Sequence, residues 1–247
     1  MLFNSYEFIF LFLPITLLVY LGIGRYGDRR IALVWLIAAS LFFYGWWNPA
    51  YLGLILGSMF FNYSIGLVLT NRDSSIHKKT ILIVGIVANL SLLAYYKYAN
   101  FFVDNINLLL SVDWNLGNII LPLAISFFTF QQITYLVDAY RGETKEYNFL
   151  HYALFVTFFP QLIAGPIVHH REMMPQFAKN IFDKLNYKYI AVGLSIFFMG
   201  LFKKVVIADS LSPYSIEIFS AATAGVVLSF FEAWKGVLAY TFQLYFD

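Results

Sequence analysis

Two stretches of this 247-residue chain carry side chains whose types and spacing could do chemistry. The first lies in the apolar run IILPLAISFFTFQQITYLVDAY, residues 119–140. There Gln131, Tyr135 and Asp138 recur at i, i+4 and i+7, which lines them up on one helix face, with Thr134 flanking and Gln132 pointing more to the side. Carboxamides, a phenol and a carboxylate on one stripe can wall a polar path, or they can hydrogen-bond neighbouring helices. Asp138 sits one turn from Arg141 and can pair with a basic residue. The second stretch is FFPQLIAGPIVHHREMMPQF, residues 158–177. Pro160, Gln161, Gly165 and Pro166 interrupt its apolar start, and His169, His170 and Arg171 follow. Adjacent histidines titrate near neutrality and could serve as a base. Beside Arg171 and Glu172 at an interface they read better as a solvated pair. His77 and His151 stand singly at loop or helix ends, and Asn62 and Asn89 read as helix–helix hydrogen bonders. No HxxxH, HExxH or carboxylate cluster points to a metal, and GIGRYG at 22–27 ends an apolar helix rather than opening a nucleotide fold.

The elements that must position these residues follow from composition. The chain is 60% hydrophobic and only 12% charged, with a mean hydropathy of +0.70. A soluble domain is about half apolar and about a quarter charged, so the solvent here is lipid. Aromatic residues make up 20%, among them 27 Phe and 18 Tyr, which suits helix surfaces against acyl chains. A net charge of +2 is too small for nucleic acid, and the absence of cysteine excludes disulfides and thiolate chemistry.

A bilayer-spanning helix needs roughly 20 mostly apolar residues. The sequence predicts an all-α, polytopic membrane bundle with about seven spans: 7–24, 31–46, 51–70, 80–98, 119–139, 189–207 and 224–246. MLFNSYEFIF lacks the basic start of a signal peptide, so the first span is expected to be retained. RYGDRR, NRDSSIHKK and RGETKE are basic loops and read as cytoplasmic; GWWNPA and SVDWNLGN lack Lys and Arg and read as outer. That alternation places the N-terminus outside. Loop 167–188 is basic again, with Arg171, Lys179, Lys184 and Lys188. It stays cytoplasmic only if 149–166 dips into the membrane and returns, and Pro160 with Gly165-Pro166 supplies the breaks for such a re-entrant segment. Lys203 and Lys204 then fall toward the outer end of span 189–207, a placement the loop charges do not explain.

FNSYEFIFLFLP, FFYGWWNPAYL, YYKYANFF, LPLAISFFTFQQITYLVDAYRGE, FFPQLIAGPIVHHREMMPQF and GLFKKVVIAD occur in that order along the chain. Together they resemble the membrane-bound O-acyltransferases, specifically the bacterial branch concerned with alginate O-acetylation. The resemblance implies a bacterial inner-membrane protein whose donor is acetyl-CoA or another acyl thioester, a substrate rather than a bound cofactor. It implies a hydroxyl acceptor on the outer face, either a polysaccharide or an acyl-relay protein. It also implies that residues 1–247 are the N-terminal portion of a single acyltransferase domain, supplying scaffold and a donor-side funnel. The family's two histidines lie beyond Asp247 and match none of the four here, so this portion alone is expected to be inactive. The competing readings are an inactive truncated product or structural membrane subunit, and a transporter, whose sites also use broken helices.

Overall fold

The computed structural model describes residues 1–71, 77–117, 119–143, 148–163, 165, 173, 177 and 187–247. Among them every regular element is a helix: α1 (Glu7–Tyr26), α2 (Arg29–Gly45), α3 (Ala50–Thr70), α4 (Lys78–Leu110), α5 (Ile125–Arg141), α6 (Phe149–Thr157), α7 (Phe159–Leu162), α8 (Tyr187–Thr223) and α9 (Phe230–Phe246). Helix is the form an apolar chain takes in lipid, because it satisfies every backbone amide within the segment. By length and composition, α1, α3, α4 and α8 can each cross a membrane. The other three expected spans fall on α2, α5 and α9, each of 17 residues.

Helix ends differ from the sequence expectation for identifiable reasons. Residues 119–124 are unwound where span 119–139 was expected to be helical throughout. Pro122 lacks an N–H, Ala124 adopts a left-handed conformation (φ 59°), and the helix proper starts at Ile125. The freed carbonyls are served by tyrosines flanking the α2–α3 turn: Tyr51 donates to Ile120 O at 3.0 Å and Tyr44 to Leu123 O at 3.1 Å. Residues 224–229 are likewise non-helical. Gly225 turns the chain at φ 78°, and α9 opens on a capping box between Ser229 and Glu232.

The chain forms two compact units, one of Met1 with Pro14–Asp183 and one of Leu2–Leu13 with Lys184–Asp247. In the second, α8 runs unbroken past the expected end of span 189–207, and α9 packs back on its C-terminal half. Lys203–Ala208 is a π-turn inside α8. Its i→i+5 geometry carries Lys204 over Asp209, at 3.1 Å, and the same ammonium meets the Asp247 carboxylate at the end of α9. This gives Lys204 a partner where loop charges gave no reason for it. Lys204→Gln should speed amide exchange across Lys203–Ala208 several-fold. Unchanged exchange would mean that the π-turn persists without the ion pair.

Candidate functional site

The core of the first unit is a polar centre shared by four helices. The buried side of α5 includes Phe128, Thr129, Gln131, Gln132, Tyr135 and Asp138. Gln132, expected to point aside, is fully buried (0%) at the middle of this centre, whereas Gln131 and Tyr135 face α6. On α3, Ser58 and Asn62 are one turn apart. Asn62 donates to Ser58 O at 2.9 Å and to Asn89 Oδ1 of α4 at 3.1 Å, and it also donates to Gln132 Oε1. Asn89 answers by donating to Asn62 Oδ1 at 2.6 Å and to Gly85 O at 2.8 Å. Ser58 Oγ at 3.2 Å and the Tyr152 hydroxyl of α6 at 3.4 Å also donate to Gln132 Oε1. Asn62 and Asn89 are therefore the interhelical bonders the sequence suggested. Ser58 and Tyr152 were missed, although Ser58 and Asn62 at i, i+4 were a legible pair.

Two glycines let these helices close. A Cβ on Gly66 would stand 2.4 Å from the Tyr135 hydroxyl, and one on Gly85 would stand 2.8 Å from Leu136 Cδ1. Tyr135 is held from the other side by Tyr152, with ring centroids 4.4 Å apart.

The α6–α7 break is the described part of the segment expected to be re-entrant. Phe158 leaves the helical region at ψ 108°, two residues before Pro160. Phe159 N then donates to Ser40 Oγ of α2 at 3.3 Å, so Phe155 O loses its helical donor and accepts from Gln131 Nε2 at 2.6 Å instead. Pro160 has no N–H to return to Val156 O, and the Gln161 N–H turns to Phe158 O at 3.0 Å. Gln131 and Ser40 thus compensate a helix break deep in the core, since Thr157 and Val156 are fully buried. Gly165 folds tightly over the same turn, and a Cβ there would meet Gln161 Cα at 2.6 Å. Farther along, the Phe177 ring lies against Phe158 at 5.4 Å, and its carbonyl accepts from Arg29. Pro166, His169, His170 and Arg171 lie outside the described residues. Asp138 is 7% exposed on the same helix as Gln131. A cleft of about 340 Å³ opens between α3 and α4, walled by Gly53, Gly57, Phe61 and Leu92, with Ser58 and Asn89 in its lining.

Comparison with known proteins decides the lineage. The profile described as MBOAT, membrane-bound O-acyltransferase family, matches residues 138–247. A peptidoglycan O-acetyltransferase of Helicobacter pylori is 46% identical over 273 aligned residues, covering 100% of this chain and 51% of the relative. The chain belongs to the membrane-bound O-acyltransferase family. A probable alginate O-acetylase of Azotobacter vinelandii is 40% identical over 260 residues, covering 100% of this chain and 48% of that protein. A teichoic acid D-alanyltransferase of Bacillus subtilis is 29% identical over 131 residues, covering 53% of this chain and 32% of its own length. The chain spans about half the length of the first two relatives. No solved structure matches it. The family profile starts at Asp138, so it takes in the α6–α7 break and Lys204 but not Gln131, Gln132 or Tyr135.

Proposed function

We propose that this chain is the N-terminal portion of a bacterial inner-membrane O-acetyltransferase that modifies an exported glycan. The observation that carries this is similarity over the whole chain to relatives whose names specify O-acetylation of peptidoglycan or alginate. The donor is a cytoplasmic thioester, acetyl-CoA or another acyl carrier. The acyl C–S bond breaks, a C–O bond to the glycan or to a relay protein's hydroxyl forms, the hydroxyl proton passes to a base, and the thiol leaves. General-base assistance of this kind contributes about 10²–10⁴-fold. That base comes from the half of the enzyme after Asp247.

The helices here supply the frame. Gln131, Gln132, Tyr135 and Asp138, with Pro160, Gln161 and Gly165 at the break, form the inner wall of the donor-side path. Breaks in membrane helices are tolerated where protein covers them or a cavity needs them. The deep burial of Tyr152–Thr157 supports such a wall.

Two results test this reading. Deleting the gene should remove base-releasable acetate from the envelope glycan; unchanged acetate would count against the function. Single cysteines at Arg141 and Lys184 should label from the same, cytoplasmic side. Labelling from opposite sides would make 149–166 a full crossing.

A further inference from the structure

The polar centre crowds donors onto one oxygen and leaves another donor without an acceptor, and its polarity is not free to change. Ser58 O and Gly85 O are backbone carbonyls and can only accept, so they fix the amide ends of Asn62 and Asn89. The Asn62 nitrogen then faces Gln132, which must present its oxygen to it. Three donors converge on Gln132 Oε1, and Gln132 Nε2 is left with none to serve. Thr129 Oγ1, one turn back on α5, is also without a partner among the described residues. Both residues are fully buried. An unserved buried donor costs about 1–3 kcal/mol, and here two lie at i and i+3. Residues at i and i+3 are neighbours on a helix surface, with Cβ atoms about 5–6 Å apart, so the two donors belong to one stripe of α5.

We propose that Thr129 Oγ1 and Gln132 Nε2 form a buried binding site for one neutral oxygen acceptor, a water molecule or the carbonyl oxygen of an acyl group. Among the described residues no cationic side chain joins the network to offset an anion. Three bonds onto Oε1 polarise the carboxamide and strengthen its free N–H as a donor. The α3–α4 cleft brings open space to Ser58, one hydrogen bond from Gln132. The acyl source rests on the acetyltransferase reading; the water source does not.

The test is the sign of a stability change in the 247-residue chain in detergent. If the site is empty, Thr129→Val removes an unserved hydroxyl and Tm rises. If the site is occupied, the variant strips the guest of a donor and Tm falls by about 2–4 °C. Thr129→Ser keeps the hydroxyl and should melt above Thr129→Val. A rise, or no change, in Thr129→Val overturns the proposal. Should that variant not fold, diffraction from wild-type crystals decides: a density peak within about 3 Å of both atoms is expected, and a bare site overturns it. Adding acetyl-CoA assigns the occupant, since a Tm gain lost in Thr129→Val marks an acyl carbonyl and an equal or absent gain marks water. Failure of the longer protein to transfer acetyl would sink the functional reading while leaving the sign of the Thr129→Val shift to decide the site.

Discussion

Replacing Asn62 with leucine lowers the melting temperature of the chain by about 4–8 °C, a loss of about 2 kcal/mol. Two magnitudes compete in setting that figure. Hydrogen bonds between membrane helices average only about 0.6 kcal/mol, because the alternative arrangement in lipid also finds partners. Asn62 exceeds that average because it reaches helices α4 and α5 and its own turn at once. Its loss leaves Asn89 Oδ1 without its donor in a site 3% exposed. A melting shift under about 2 °C would show that the four-helix centre is dispensable for cohesion. Asn62→Asp should do worse than leucine, because it replaces the donor with a buried charge.

Gly66→Ala is expected to cost about 1–3 kcal/mol, the range for forcing an extra methyl into a packed core. The new Cβ would lie 2.4–2.7 Å from three atoms of the Tyr135 ring and hydroxyl. Tyr135 cannot swing away, because the Tyr152 ring lies 4.4 Å behind it and the residue is 1% exposed. Gly53→Ala on the same helix meets nothing within 4 Å and serves as the control, with a change near zero. The second-site change Tyr135→Leu should recover most of the Gly66→Ala loss, as measured by thermal melting in detergent. Equal melting of the Gly66 and Gly53 variants would contradict the close approach of α3 and α5.

What was legible in the sequence depended on whether local pattern or tertiary pairing set the answer. Long apolar runs fixed the helices, since nothing but helix satisfies the backbone in lipid. Pro160 announced the α6–α7 break. The direction of Gln131 and Gln132 was not legible: adjacent glutamines on a helix lie 100° apart, and only the position of α6 decides that Gln131 serves Phe155 O while Gln132 turns inward. Ser40 as the acceptor for Phe159 N lies 119 residues away in sequence and leaves no local trace. Lys204 was placed by tertiary pairing too, because a π-turn and an aspartate at the end of another helix create its environment. The unwound 119–124 segment was hidden in the same way: its carbonyls are served by tyrosines from the α2–α3 turn, so an apolar stretch expected to be helix does not need to be.

The most direct test of the central claim is acetyl transfer across a reconstituted bilayer. The full-length protein is placed in proteoliposomes with labelled acetyl-CoA on the side bearing the basic loops, and with hydroxyl-bearing glycan, or an outer-face relay protein, on the other. The account predicts labelled, base-labile ester on the acceptor, and none from liposomes holding only residues 1–247. Absence of transfer by the full-length protein with every candidate acceptor, or equal transfer by the 247-residue portion, would contradict it.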